Sequence, residues 1–351
     1  MDDYAASLVR EMRLCRKSLD VPLSAVTMFF GGGTPSLMDP VPLQKIIDEA
    51  AALFGLCSDA EITIEANPGT LTMEKLSGYR SCGANRLSLG VQSFNDSMLE
   101  KLGRVHTAGQ AYEAFRSARK IGFANMGIDL INSLPGQTLP MWEDDLLAAV
   151  DLAPEHISVY GLTIEEGTPF AAMEENGTLS LPGEEESAVM YERASRVLGM
   201  SGYEHYEISN YARTGFRSRH NQVYWRRGNY LGFGAGAHSF MNQPGFGERW
   251  HNTPDLSTYM RDCGEGRLSW LEKHGVSLRE AMAERLFLGL RMLDGVDLGA
   301  FRDEFGVSFE KAYPRQSSIM LGGGLLEICG ARLKLSARGL LISNQVFMDF
   351  L

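Results

Sequence analysis

A strand that runs straight into three glycines is the feature that most constrains how this chain folds. Residues Val26–Phe30 are all apolar or β-branched, as in a buried strand, and Gly31–Gly33, Thr34 and Pro35 follow them. Because glycine has no Cβ, the backbone of such a loop can touch a small ligand directly. The same residues also fit a plain tight turn, so the later strands decide between a turn and a ligand site.

Strands and helices alternate over the first half of the 351 residues. After a helix over 4–17, the sequence predicts five strands, at 26–30, 61–66, 86–91, 125–131 and 156–162. Helices at 40–54, 72–80, 108–120 and 140–152 separate these strands, and a helix at 184–199 and a further strand at 203–208 follow. This alternation indicates an α/β fold whose parallel strands are joined by right-handed crossovers.

Polar side chains lie at or just past the carboxyl ends of these five strands. They are Thr34, Glu65, Gln92, Asp129 and Thr163. Each could be a cap or turn residue alone, but in parallel α/β folds ligand groups collect at this edge of the sheet. Five such residues together favour one shared ligand site.

Composition and charge exclude several classes of function. The net charge of −11 argues against binding to nucleic acid or to an anionic membrane surface. No apolar run approaches the roughly 18 residues that a membrane span needs, and the charged, helix-like start predicts no signal peptide. The five cysteines are scattered and no pair has metal-ligand spacing, so we expect reduced thiols and a cytoplasmic location.

A basic and aromatic segment stands out at residues 213–240 of this otherwise acidic chain. It carries five arginines with aromatic residues between them, Phe216, Tyr224, Trp225 and Tyr230, and ends in the small-residue run 232–237. Arginines pair with carboxylates in bidentate fashion and aromatic rings offer flat faces, so a flat ligand bearing carboxylates would suit this segment. The alternative is a solvated basic loop.

Residues 276–351 form a separate C-terminal pattern. Helices are predicted at 278–292, 298–305 and 309–321, followed by a short hairpin-like end over 325–343. This order indicates a winged-helix-like domain, although the acidic balance disfavours DNA as its partner. The predicted domains are therefore 1–212, 213–275 and 276–351.

Several motifs occur in an order that resembles one known family. They are FFGGGTPSL at 29–37, EITIEANPGT at 61–70, NRLSLGVQSFND at 85–96, LGRVH at 102–106, IDLINSLPGQT at 128–138 and HISVYGLTIEEGTPF at 156–170. Together they are similar to the oxygen-independent coproporphyrinogen III oxidase-like branch of the radical S-adenosylmethionine (SAM) superfamily. Within it, HNQVYW at 220–225, with LGFGAGAHS at 231–239, resembles the HemW-type heme chaperones. The resemblance extends to FLGLR and ARGLLISN near the C-terminus and implies a partial (β/α)6 barrel whose first strand is missing here.

The resemblance also implies a [4Fe–4S] cluster held by a C-x3-C-x2-C segment, which the 351 residues do not contain. No cysteine of this chain replaces those ligands. Either the start codon was assigned too late or the chain is a truncated or degenerate member. Without the first strand, Val26–Phe30 is expected to form an exposed sheet edge that favours aggregation.

Other site residues carry over position by position. Gly32, Gly33 and Thr34 match the loop that meets the methionyl end of SAM, and Glu65 matches an acidic partner for a hydroxyl or ammonium group. Gln92, Arg104, Asp129 and Thr163 match positions that line a second SAM in the dehydrogenases. The heme-associated motif supplies His220, Asn221, Tyr224 and Trp225. A neutral histidine nitrogen is a normal axial ligand of heme iron, so His220 either binds iron or hydrogen-bonds within the motif.

The resemblance implies a heme chaperone that delivers heme to acceptor proteins, including those of the respiratory chain, and it allows a homodimer. An alternative is an oxygen-independent coproporphyrinogen III oxidase or dehydrogenase of porphyrin biosynthesis. HNQVYW favours the chaperone. A third interpretation, an unrelated TIM-barrel enzyme, would require the ordered motifs to be accidental. No residue is assigned a catalytic or metal-ligating role.

Overall fold

The computed structural model describes residues 1–19 and 21–351, which fold into two compact units. The first unit comprises Met1–Met28, Val41–Ala60 and Ser218–Leu351. The second unit comprises Phe29–Pro40 and Glu61–Arg217. The strands β1 (Ala25–Phe30) and β2 (Leu56–Ala66) each begin in the first unit and end in the second.

A seven-stranded sheet has the order β1-β2-β3-β4-β5-β7-β6. Its other strands are β3 (Arg86–Gln92), β4 (Asn125–Asn132), β5 (His156–Gly161), β6 (Glu204–Glu207) and β7 (Asn210–Ala212). Strands β2 to β5 pair in parallel, whereas β7 pairs antiparallel with both β5 and β6. The predicted α/β fold and its strands are confirmed. Strand β1 lies at one end of the sheet, and β7 is a strand that the sequence did not predict.

Helices precede and separate these strands as the sequence predicts. They are α1 (Asp2–Ser18), α2 (Pro40–Phe54), α3 (Met73–Ser81), α4 (Asp96–Lys101), α5 (Ala108–Ile121), α6 (Leu139–Asp151), α7 (Pro169–Glu175) and α8 (Glu184–Met200), with short 3-10 turns at Pro35–Leu37 and Pro68–Thr70. Threonines begin several of them: Thr72 accepts from the Lys75 amide, and Thr107 forms a capping box with Gln110. Helix α4 was not predicted.

Alternation along the central strands places apolar side chains on one face. Leu87, Leu89 and Val91 of β3 are buried, and so are Met126, Ile128 and Leu130 of β4 and Ile157 and Val159 of β5. Successive strand residues point to opposite faces, so the intervening polar residues share the other face. That face carries the first candidate site.

Residues 213–275 are more ordered than the basic loop that the sequence suggested. They contain helix α9 (Arg219–Trp225), then β8 (His238–Met241), β9 (Glu248–Asn252), α10 (Leu256–Gly264) and β10 (Trp270–Gly275). The three strands form an antiparallel sheet in the order β10-β9-β8. Helix α9 forms because Ser218 caps it, accepting a hydrogen bond from the Asn221 amide at 3.2 Å.

The C-terminal part combines helices with a small antiparallel sheet, as predicted. Its elements are α11 (Leu278–Gly289), β11 (Val296–Asp297), α12 (Leu298–Phe305), α13 (Phe309–Ala312), α14 (Pro314–Gly322), β12 (Leu326–Cys329), β13 (Arg332–Leu335), α15 (Ala337–Leu341) and α16 (Ser343–Met348). The sheet order is β11-β13-β12. Pro314 divides the predicted 309–321 helix, because proline has no N–H to donate. Residues 337–348 are helical rather than part of the hairpin.

Candidate functional site

The glycine loop after β1 is held by a carboxylate from the end of β2. Gly32 and Gly33 have φ values of +80° and +58°, and nothing lies within 4 Å of a Cβ built on either residue. The Gly32 amide donates to the Glu65 carboxylate. A Cβ on Gly31 would lie 3.2 Å from Glu65 Oε2, so the backbone and this carboxylate are in close approach. The loop therefore presents backbone groups beside an acidic side chain.

A second carboxylate lies on the polar face of the same sheet. Asp129 accepts hydrogen bonds from the Ser88 hydroxyl, at 3.1 Å to Oδ2, and from Ser158. Burial raises the pKa of Asp129, and burial together with the Asp129 charge raises the pKa of Glu65. Two partly desolvated carboxylates on one face form a suitable partner for a cationic or hydroxyl-bearing ligand.

Gln92 and Arg104 both lie over Gly90. The Arg104 guanidinium donates to the Gly90 carbonyl at 3.2 Å, and a Cβ on Gly90 would lie 3.0 Å from Gln92 Nε2. Burial lowers the pKa of Arg104. Gly90 pairs with Asp129 across β3 and β4, so the structure brings Gln92, Arg104 and Asp129 close together.

In the described part of the chain, the two predicted threonines, Thr34 and Thr163, have no side-chain hydrogen bond that connects them with the other predicted SAM ligands. The backbone carbonyl of Thr34 accepts from the Leu37 amide at 3.0 Å, and its side chain caps nothing. Thr163 is exposed in the loop after β5, and within the described residues no hydrogen bond connects it to the other predicted ligands.

Sequence reasoning missed several polar neighbours on this face: Arg86, Ser88, His156, Ser158 and Tyr160. His156 Nε2 lies 2.8 Å from the hydroxyl of Tyr206. A signal for all five was present, because Arg86-x-Ser88-x-Gly90 and His156-x-Ser158-x-Tyr160 alternate with apolar residues. That period places them on the same face as Asp129.

The heme-associated motif is helix α9 in the first unit. Its His220 is held at both ring nitrogens, with Nδ1 2.9 Å from Thr27 Oγ1 and Nε2 2.9 Å from the hydroxyl of Tyr224. His220 could bind iron only by giving up one of these contacts. Asn221 is half-buried and uses its amide in the Ser218 cap.

The aromatic residues of α9 form a packed group. Tyr224 lies edge-on to Tyr230, with 4.6 Å between ring centroids, and the Arg291 guanidinium lies 4.3 Å from the centroid of Trp225. The buried Trp225 Nε1 has no hydrogen-bond acceptor among the described residues. A buried donor without an acceptor is costly, so a ligand that accepts from it would be favoured.

The sequence suggested that the arginine guanidinium groups of 213–240 are free to pair with ligand carboxylates, but they contact other residues of this chain. Arg217 pairs with Glu204, Arg219 with Asp59, and buried Arg227 with Glu284 at 2.9 Å. Arg213 donates to the Pro154 carbonyl, at 3.2 Å. Exposed Arg226 donates instead to the neutral side chain of Gln222, at 2.9 Å.

The cysteines do not fit an iron–sulfur cluster. Cys15, Cys82 and Cys263 are buried, Cys57 is half-buried and Cys329 is exposed. Across residues 1–19 and 21–351, no group of three cysteine, histidine or acidic side chains is placed to hold a metal ion. No helix of that described part is long and apolar enough to cross a membrane.

Comparison with known proteins identifies the class first. The family model of the radical SAM superfamily matches residues 11–149, and the HemN C-terminal domain matches residues 276–342. Coproporphyrinogen III oxidase (HemN) from Escherichia coli, a radical SAM enzyme, has the same fold, with a TM-score of 0.83 and 22% identity over 99% of this chain and 82% of that one. The chain is therefore built on a radical SAM scaffold.

Two curated relatives define the family more closely. The heme chaperone HemW of Bacillus subtilis is 37% identical over 352 residues, covering 100% of this chain and 92% of that protein. The heme chaperone HemW of Lactococcus lactis is 35% identical over 351 residues, covering 100% and 90%. This chain belongs to the HemW family. Radical SAM membership implies SAM and a [4Fe–4S] cluster as the cofactors of the superfamily.

Proposed function

We propose that this protein is a heme chaperone, which binds heme and passes it to acceptor proteins. The observation that carries the proposal is the similarity to HemW chaperones over the whole length of this chain. The HNQVYW motif of this chain forms an ordered helix. The aromatic rings of Tyr224, Trp225 and Tyr230 and the unsatisfied Trp225 N–H suit a flat macrocycle with oxygen-bearing substituents.

We further propose that the polar face of the second unit binds SAM. The backbone of Gly32 and Gly33 and the side chains of Thr34, Glu65, Gln92, Arg104, Asp129 and Thr163 would hold it. The open space over the two left-handed glycines and the two carboxylates fit a methionyl group with its ammonium. When reduced by a cluster, SAM supplies radical chemistry. The residues of this chain would only bind and orient it.

The heme acceptors are proposed to include respiratory-chain proteins, and the chain is proposed to act in the cytoplasm, where its five free cysteines would stay reduced. A homodimer is also proposed. Analytical ultracentrifugation at several protein concentrations tests whether the chain forms a homodimer.

Titration with ferric heme tests the main proposal. We expect a saturable shift of the Soret band and quenching of tryptophan fluorescence, and then loss of both when an apo-acceptor is added. Coproporphyrin III, which carries four propionates, serves as the competitor. A chain that binds coproporphyrin III more tightly than heme, or that shows no Soret shift, would contradict the chaperone function.

A further inference from the structure

Within the described residues, His238 alone of the seven histidines has neither ring nitrogen in a hydrogen bond or an ion pair. The other six each engage at least one nitrogen: His106, His156, His205, His220, His251 and His274. A histidine that binds iron must offer a nitrogen lone pair. His238 is therefore the exposed histidine with both nitrogens open, whereas exposed His274 has only Nε2 open, because its Nδ1 lies 2.6 Å from the Glu272 carbonyl oxygen.

Two other histidines of the first unit have contacts at both ring nitrogens. His220 contacts Thr27 and Tyr224 through its two nitrogens, at 2.9 Å each. His251 has Nδ1 3.0 Å from the Asn252 carbonyl oxygen and Nε2 3.5 Å from Glu272 Oε2. Either histidine would have to break an existing contact before it could bind a metal.

His238 is exposed, but its backbone is firmly placed. It is the first residue of β8 and pairs with His251 of β9, so the two imidazoles stack with centroids 5.0 Å apart and planes 23° apart. On its other side, a Cβ on Gly232 would lie 2.2 Å from the His238 carbonyl oxygen. The close approach of Gly232 therefore fixes the strand that carries the free imidazole.

Aromatic contacts connect His238 with helix α9. Phe240 is two residues further along β8 and so lies on the same face of the strand as His238. Tyr230 bridges to Phe240 through two backbone hydrogen bonds of 2.9 Å, and the Tyr224 ring of α9 packs against Tyr230. Buried Phe240 therefore links the free histidine to the partly exposed aromatic residues of HNQVYW, and these exposed and partly exposed side chains form the candidate heme surface.

The charge around His238 suits an iron porphyrin. Burial and the nearby His251 and Arg249 lower the pKa of His238, against the opposing charge of Glu272, and this favours the neutral imidazole that an axial ligand needs. Arg249, the cross-strand partner of Phe240, also lies on this face.

A network of arginines and glutamates lies next to this surface. Glu284 lies 2.9 Å from both Arg227 and Arg249, and Glu304 lies 3.4 Å from Arg285. Glu272 beside His251 adds a third acid, so three arginines and three glutamates balance, and a heme propionate would pair with an arginine such as Arg249 in competition with Glu284.

We propose that His238 is the axial ligand of the heme iron, and that His220 instead positions helix α9. The inference rests on the proposed heme-binding function. The neutral imidazole donates its lone pair to ferric iron and displaces a bound water, with no change in oxidation state. No residue has to break an existing hydrogen bond for this step.

The test is heme titration of the full chain and of single variants, followed by absorption and electron paramagnetic resonance. We expect His238→Ala to lose the histidine-ligated spectrum of the parent, and added imidazole to restore it. His274→Ala is the matched control, because His274 is also exposed and lies on β10 of the same sheet, and this variant should resemble the parent. His220→Ala should keep the histidine-ligated spectrum with an affinity at least several-fold weaker.

The outcomes separate the two hypotheses. If the parent gives no Soret shift, the heme-binding function itself fails. If the parent binds heme and His238→Ala has the same spectrum and affinity, the assignment of His238 is overturned while heme binding stands. Loss of histidine ligation in His220→Ala, with His238→Ala unaffected and circular dichroism unchanged in both, would assign the iron to His220 instead.

Discussion

Glu11 of α1 accepts a hydrogen bond from the phenol of Tyr259 of α10, with 2.6 Å between Glu11 Oε2 and the tyrosine oxygen. The glutamate side chain is almost completely buried and also accepts from the Gly234 amide at 2.9 Å and from Asn252 Nδ2. One carboxylate therefore fastens α1, α10, β9 and the 232–237 loop together. That loop leads directly into His238, so this contact supports the surface proposed for heme.

The first prediction concerns the pH dependence of this contact. Burial raises the pKa of Glu11 from its ordinary 4.5 to about 7, against the three donors that favour the ionised form. Because the folded-state pKa is the higher one, the folded chain holds the extra proton, and stability falls as pH rises from about 4.5 to about 7. Glu11→Gln keeps a neutral side chain throughout and should remove this loss.

Urea denaturation at pH 5.5 and pH 8 measures the effect. The free energy of unfolding of the parent should fall relative to that of Glu11→Gln by roughly 1–3 kcal/mol between the two pH values. Glu49→Gln is the control, since that carboxylate is on α2 and its pKa is lowered by Arg13. A constant difference between parent and Glu11→Gln at both pH values would show that Glu11 does not titrate in this range.

The second prediction concerns Gly232. A Cβ there would lie 2.2 Å from a backbone oxygen, which cannot rotate away, so Gly232→Ala should destabilise the chain by about 1–3 kcal/mol. Gly264→Ala is the matched control, because Gly264 ends a helix with open space around it and should be neutral or stabilising by up to about 1 kcal/mol. Thermal unfolding of both variants checks this. Equal melting temperatures would contradict the tight packing of Gly232 on His238.

Alternation and capping made much of the fold predictable. Val26–Phe30 and the next four strands follow local apolar patterns, and Thr72 caps its helix as expected. Helix α9 was not predicted, because its residues follow a basic, turn-rich stretch and its cap, Ser218, has no acidic residue in the next turn. The short strand β7 was missed since three residues are too few for a periodic pattern.

The candidate site was predictable only where residues follow strand ends. Glu65 and Asp129 were found in this way. The pairing of Glu11 with Tyr259 joins residues 248 positions apart, and no local pattern encodes it. The arginines illustrate the same limit, because sequence gives their charge but not the partners, such as Glu284 for Arg227, that neutralise it.

The third prediction concerns SAM. Glu65→Gln removes the negative charge beside the glycine loop while keeping an acceptor for the Gly32 amide, so SAM affinity should fall roughly tenfold or more. Because the pKa of Glu65 is raised, SAM binding by the parent should also weaken on acidification, and Glu65→Gln should lack this change. Equilibrium dialysis with labelled SAM measures both effects. Glu175→Gln, an exposed glutamate that ends α7, should bind as the parent does.

The last prediction concerns iron. The 351 residues should not assemble a [4Fe–4S] cluster, because cluster iron needs thiolates that converge on one point. No such group exists in the described residues, and burial raises the pKa of Cys15 to about 12 and that of Cys263 to about 11, which disfavours their thiolates. Anaerobic reconstitution with iron and sulfide, then desalting and iron analysis, tests this, with a ferredoxin treated in parallel as the positive control.

We expect little iron to remain on the chain after desalting, and no charge-transfer absorption of a cluster. Four irons retained per chain would contradict the prediction and would mean that cysteines move together on binding. Heme titration of the same sample adds a second measurement. Since no cysteine belongs to the proposed heme surface around His238 and Tyr224, the heme affinity should be the same before and after reconstitution.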